Sequence, residues 1–358
     1  MTDLPFDEIE RLRDASRFDE AWERWQAVAA TPPSDPGVAY DWYKLGGDLG
    51  RLSGSWPAAE KAYQRALDVA RQMEDEQALA DVAAALAAVW RAQSRFAEAL
   101  DLYDEAAEIY SEYDDPAGLA FVEWGRGGVF RFSGDLPAAI EAFSAALELA
   151  EQNDLDETAA YALCGLGGAY RASGHYDKSL QFYQQANERM RARADRFGTA
   201  YSYCGVGNAL RMAGQLDASE SFFQQAADLY RAIGDIVSYA YTLWSWATLH
   251  KCQRQLDSAQ AKFDKAAARF ARSGDRRGAI YARLGLAELA QLRGKGDPGQ
   301  LQALIRDAER LQLGLETAYA RLLEALVRAD PAAVAHANAG LRSLGSLFQA
   351  QSLPLNLP

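Results

Sequence analysis

From residue 37 onward, small and apolar residues return at helical spacing, and the whole pattern recurs every 40 positions. Residues 159–186, AAYALCGLGGAYRASGHYDKSLQFYQQA, are followed by the near copy TAYSYCGVGNALRMAGQLDASESFFQQA. On one register a glycine falls at Gly54, Gly134, Gly174 and Gly214, with Ser94 and Arg254 in the same slot. Five residues on comes a small residue (Ala59, Ala99, Ala139, Ser179, Ser219, Ala259), and four further an aromatic (Tyr63, Tyr103, Phe143, Tyr183, Phe223, Phe263). Three beyond that lies alanine at Ala66, Ala106, Ala146, Ala186, Ala226 and Ala266. Periodicity of this length marks an array of stacked units rather than separate globular domains.

Each unit resolves into two helices around the glycine slot. The second, helix B, carries its small and aromatic residues at i, i+4 and i+7, which is one helix face. The first, helix A, is preceded by aspartates at Asp75, Asp115, Asp195, Asp235 and Asp275, and Pro116 follows Asp115 as a first-turn proline does.

The order small residue, glycine, small residue, aromatic, alanine resembles the tetratricopeptide repeat superfamily across most of the chain. Members commonly repeat every ~34 residues, so the longer period implies a helix B or exit extended by about 6 residues. That is similar to the branch typified by kinesin light chains and bacterial peptide-sensing regulators. The resemblance implies an all-α fold, a right-handed α-solenoid of stacked antiparallel helix pairs. One such pair cannot bury its own apolar face, so neighbours must stack into a curved array.

In chain order the sequence predicts an irregular N-terminal repeat over 1–36, closed by the proline-rich TPPSDPG. Six regular repeats follow at 37–75, 76–115, 116–155, 156–195, 196–235 and 236–275, and a weaker seventh at 276–313. Residues 314–347 read as a capping helix pair, and 348–358 as a tail that is flexible or packed along the last helix.

Helix A has two adjacent stripes. One, exemplified by Ala160, Leu163, Gly167 and Tyr170, is small and apolar and packs on helix B. The other, one residue further round, reads Phe121, Trp124, Gly128, Arg131, then Tyr161, Cys164, Gly168, Arg171, then Tyr201, Cys204, Asn208, Arg211, then Tyr241, Trp244, Thr248, Lys251. The resemblance implies that this stripe lines a concave groove for partner peptides, so the expected site is Phe121, Trp124, Arg131, Tyr161, Arg171, Tyr201, Asn208, Arg211, Tyr241, Trp244 and Lys251. Arg51, Arg91, Arg131, Arg171, Arg211 and Lys251 recur at the repeat interval as a basic ladder. Guanidinium groups suit carboxylate or phosphate, which points to an acidic partner segment. The plainer alternative pairs each cation with an acid of the neighbouring repeat. Gly125, Gly128, Gly165, Gly168 and Gly205 lie inside helix A, where glycine is unfavourable, and imply close approach by a backbone.

Composition narrows the function. The formal charge of −13 argues against nucleic acid, whose binding draws on broad phosphate neutralisation by Lys and Arg. No apolar run is long enough to span a membrane, and the acidic start is unlike a secretory signal, so a soluble cytoplasmic protein is expected. Cys164, Cys204 and Cys252 do not form a disulfide or zinc pattern. His175, His250 and His336 join no catalytic or phosphate-binding motif, so no enzyme, cofactor or metal is expected. The leading function is a protein-interaction scaffold that holds an extended or helical acidic segment of a protein or peptide partner. The alternative is a regulatory sensor whose groove takes a small anionic or aromatic ligand and changes curvature.

Overall fold

The computed structural model describes residues 6–15 and 17–358; residues 1–5 and 16 of the irregular first repeat lie outside the described residues. Among the described residues there are eighteen helices and no strand. They are α1 (Phe6–Asp14), α2 (Phe18–Val28), α3 (Pro36–Leu52), α4 (Trp56–Met73), α5 (Glu76–Ala92), α6 (Phe96–Glu112), α7 (Pro116–Ser133), α8 (Leu136–Gln152) and α9 (Asp156–Ser173). The second half continues with α10 (Tyr176–Ala192), α11 (Arg196–Met212), α12 (Leu216–Ile233), α13 (Ile236–Cys252), α14 (Leu256–Ser273), α15 (Arg276–Leu292), α16 (Pro298–Arg310), α17 (Gly314–Val327) and α18 (Pro331–Ser343). Odd-numbered helices are A helices, even-numbered ones B helices, and successive pairs stack as a right-handed α-solenoid.

Local chemistry sets these boundaries. The side chains of Asp75, Asp115, Asp195, Asp235 and Asp275 each accept a backbone N–H in the first turn of the A helix that follows, satisfying one of its orphan donors. Where the series breaks at Leu155, no side chain caps α9, and Asp156 and Glu157 in its first turn face the helix dipole instead. From α3 onward the turn from A to B passes through the left-handed region at each repeat. Gly54, Gly134, Gly174, Gly214 and Gly294 adopt φ between 71° and 101°, and Ser94 and Arg254 take φ of 64° and 63° in the same slot. The turn is therefore kept where the glycine is not.

The glycines inside the A helices have a different cause from the one expected. A side chain at Gly127 would place its Cβ 2.8 Å from the Phe143 ring, and one at Gly165 would overlap the same ring from the next helix. Tyr183 is seated likewise between Gly167 and Gly205. Each B-helix aromatic is thus clamped between its own A helix and the following one. The close approach is made by a ring, not by a backbone.

This clamp also sets the curvature. Neighbouring A helices, thinned by glycine and alanine, touch directly all along the array, whereas neighbouring B helices make no comparable contact. An inner layer shorter than the outer one bends the stack inward until the chain meets itself. Val237 and Ser273 close on Gly54, Gly314 and Leu315 on Gly134, and Arg277 lies 4.1 Å from the Phe132 ring centroid. Leu136 N donates to Leu344 O at 3.4 Å, and Ile280, Ala308, Leu311 and Leu313 share a core with Val122 and Val129. Residues 314–347 therefore pack back against α7 and α8. Ser346 Oγ lies on Ala172 O at 2.6 Å and Leu347 N on Ser173 O at 2.9 Å; the tail then touches α18, where Ala350 and Asn338 exchange hydrogen bonds, before turning inward across the C-terminal ends of the A helices.

Candidate functional site: the inner face of the superhelix

A constant offset of 37 residues relates the second stripe of each A helix to that of the next. Trp244 donates from Nε1 to Tyr281 O at 2.9 Å, Asn208 from Nδ2 to Ser245 Oγ at 3.1 Å, and Lys251 from Nζ to Glu288, each pair 37 apart. The same offset lays Arg91 over Gly128 and Arg131 over Gly168, where the missing side chain leaves room for the guanidinium. Those two glycines are explained by the ladder itself.

The expected site residues divide into two groups. In the first half of the inner face they remain partly open. Phe121 is 37% exposed and lies 5.7 Å from Trp124, which in turn meets Tyr161 edge-on at 6.4 Å and receives the Arg91 guanidinium at 5.1 Å. Tyr161 donates its hydroxyl to Asp195 at 2.9 Å, and burial raises its pKa well above the ordinary phenol value, so it stays neutral. Arg131 and Arg171 are half-buried, and Tyr201 packs between two core clusters. Arg171 also lies within electrostatic reach of Tyr281 and Tyr319, which belong to helices three and four repeats on.

In the second half the residues are sequestered. Trp244 is 5% exposed and packs 4.6 Å from the Tyr281 ring, so the indole expected as an exposed anchor is a joint between repeats. Tyr241 bonds Asp275 at 3.3 Å and meets Phe270 edge-on at 4.8 Å. Lys251 is ion-paired with Glu288, both out of solvent. Asn208 and Arg211, expected on an open groove, are buried; Arg211 Nη2 donates to Asn208 Oδ1 at 3.0 Å. The physical reason lies in the tail. Arg211 donates from Nη1 to Asn356 Oδ1 and from Nη2 to Leu357 O at 2.7 Å, while Asn356 Nδ2 donates back to Arg211 O at 3.2 Å. Burial pushes the Arg211 pKa down to about 10.

Between the two ends of the ladder, the alternative of pairing with acids of the neighbouring repeat is not found. Arg91, Arg131, Arg171 and Arg211 each have a buried Nε with no hydrogen-bond acceptor, and among the described residues none of the four forms an ion pair. Only Lys251, with Glu288, follows that pattern. Glu288, Arg254 and Asn356 were not expected at the site. Glu288 was within reach of sequence reasoning, since it stands 37 residues after Lys251, but a tail without periodicity gave no comparable signal.

Among the described residues no group of three or more His, Cys, Asp or Glu is placed to hold a metal, and no helix is long and apolar enough to cross a membrane. Cys164 is buried, and that burial raises its thiol pKa, which disfavours the thiolate.

A family model described as tetratricopeptide repeat matches residues 39–112, 118–192 and 158–232. No curated protein matches the sequence. Among solved structures the fold is similar to a Rap protein complexed with competence and sporulation factor, at 17% identity and TM-score 0.68 over 94% of this chain and 95% of that one. It is similar also to the Rap conjugation gene regulator of plasmid pLS20 in complex with the Phr* peptide, at 16% identity and TM-score 0.64 over 78% and 76% of the two chains. Aspartyl phosphate phosphatase F from Bacillus subtilis shares the fold at 12% identity and TM-score 0.56, over 97% and 94%.

Proposed function

Since the chain belongs to the tetratricopeptide repeat family, we propose that it is a binding scaffold which takes an extended, acidic segment of a partner protein or peptide along its inner face. One observation carries this reading: Arg91, Arg131, Arg171 and Arg211 stand in a row, buried at Nε and without acid partners, in a protein of net charge −13. A strip of cations left uncompensated by so acidic a chain is costly, and carboxylates arriving from outside relieve that cost. Phe121, Trp124 and Tyr161 beside it offer partly open aromatic surface for the apolar side chains of the same segment. Solved structures of the same fold include complexes with a peptide, which supports the class of ligand.

The alternative, a small-ligand sensor that works by changing curvature, has the seam between turns against it. Arg277 on Phe132 and Leu136 on Leu344 would have to part for the superhelix to open.

The test is a pulldown with mass spectrometry, wild type beside Arg131→Gln/Arg171→Gln, followed by titration of any partner lost in the variant at two salt concentrations. The reading expects weaker binding and a shallower salt dependence in the variant. Partners retained with an unchanged salt slope would overturn it.

A further inference from the structure

Residues 353–357, which carry no regular secondary structure, cross the inner face held by side chains at three A-helix ends. Leu353 O accepts from Arg254 Nη2 at 3.3 Å, and Leu355 N donates to Glu288 Oε1 at 2.5 Å. Leu355 and Leu357, on either side of Asn356, are 0% and 2% exposed. Asn356 between them is read twice by one residue, its carbonyl by the Arg211 guanidinium and its amide by the Arg211 carbonyl. Cys252 Sγ stands 3.7 Å from the same Asn356 oxygen. The arrangement is that of a bound peptide: main-chain groups of Leu353, Leu355 and Leu357 are held by side chains, and Leu355 and Leu357 are themselves buried.

The charge balance of this cradle is uneven. Glu288 has Lys251 as its counter-ion, but Arg211, equally buried, meets only the neutral oxygens of Asn356, Leu357 and Asn208. A carboxylate at the position of Asn356 supplies what the tail withholds, because charge-assisted bonds to guanidinium are about twice as strong as neutral ones. We propose that the Arg211–Glu288 cradle is a peptide site selective for an extended Leu-Asp-Leu or Leu-Glu-Leu segment, and that residues 353–357 are its neutral internal occupant, displaced by such a segment. This deepens the reading of the inner face as an acidic-peptide site, but it concerns the covered half, and its test needs no natural partner.

The probes are two fluorescent decapeptides, QAQSLPLNLP and QAQSLPLDLP, and the hosts are the full chain and the full chain carrying Leu355→Glu/Leu357→Glu to unseat the segment. Expected is binding of the Asp peptide to the unseated host at least about tenfold tighter than the Asn peptide, since one charge-assisted bond is worth on the order of one decade in Kd. Wild type binds both more weakly than the unseated host does, and Arg211→Gln in the unseated host, which removes the cation, abolishes the preference for Asp. Equal affinity for the two peptides, no binding by a folded unseated host, or wild-type binding as tight as that of the unseated host overturns the proposal. Should the unseated host not fold, Asn356→Asp in the full chain replaces it. Slower hydrogen exchange at the Leu355 amide is then the expected result, and unchanged or faster exchange overturns the proposal. If the Arg131→Gln/Arg171→Gln variant loses its partners while these peptides fail, the scaffold reading stands without the cradle; the opposite pair of results leaves the cradle alone.

Discussion

Lys251 and Glu288 form an ion pair with 1% and 0% of their side chains exposed, and the other oxygen of that carboxylate takes the Leu355 amide at 2.5 Å. Removing the cation leaves a buried carboxylate without its counter-charge. Lys251→Met is expected to destabilise the protein by about 3–5 kcal/mol. Adding Glu288→Gln recovers much of the loss, because the amide oxygen still accepts from Leu355 and the bare charge is gone. Urea unfolding of the single and double variants checks this; a double variant no more stable than the single one refutes it.

Asp235 caps α13 by accepting from Ser238 N at 2.7 Å, yet burial raises its pKa to about 6 from 3.8. The folded state therefore holds a proton that the unfolded state has lost between these values. Stability from this group is present below the unfolded value and declines as pH rises through about 4 to 6. Asp235→Asn keeps the capping oxygen and removes the charge, so it is expected to raise stability at pH 8 by about 2–3 kcal/mol relative to wild type. The advantage shrinks as pH falls toward 4. Denaturant melts at pH 4.5, 6 and 8 measure the difference, and an advantage that grows toward acid contradicts the assignment.

Ala226 is fully buried, in a cluster with Ala200, Tyr230 and Ile233. Ala226→Leu has no space to fill and is expected to cost about 1–3 kcal/mol. Thermal unfolding like that of wild type would mean that the helix crossing is looser than described.

The glycines give a paired experiment. A Cβ at Gly205 overlaps the Tyr183 ring, whereas one at Gly340 meets nothing within 4 Å. Gly205→Ala is expected to destabilise by about 1–3 kcal/mol in spite of better helix propensity. Gly340→Ala is expected to stabilise by about 0.5–1 kcal/mol, the ordinary gain of alanine over glycine in a helix. Melting curves of the two variants should shift in opposite directions.

The repeat, its helix pairs and its capping aspartates were legible in the sequence because each depends on neighbours within one unit. The glycine slot was legible even at Ser94 and Arg254, since the 40-residue register carried it across the substitution, but its left-handed conformation there was visible only in the structure. What was not legible depends on residues far apart. Arg211 reads the same along the chain whether it faces water or Asn356, and 145 residues separate the two. The aromatic row looked like groove lining for a similar reason: Trp244 and Tyr241 are spaced like ligand contacts and like joints between repeats alike. Only the position of Tyr281 and Asp275 across the next helix decides between them.

The seam between turns fixes how many units the chain holds. Leu136 meets Leu344, Phe132 meets Arg277 and Gly134 meets Gly314 at set addresses on different turns. Open repeat arrays touch only their neighbours, so they lengthen or shorten by whole units without penalty elsewhere. Here one 40-residue unit added between α8 and α15 carries every one of these partners a full step past its mate. Duplication and deletion of repeats, the usual route by which such arrays diversify, are closed to this chain unless the seam is rebuilt. For the same reason the array is expected to unfold more nearly as a single body than by fraying one unit at a time.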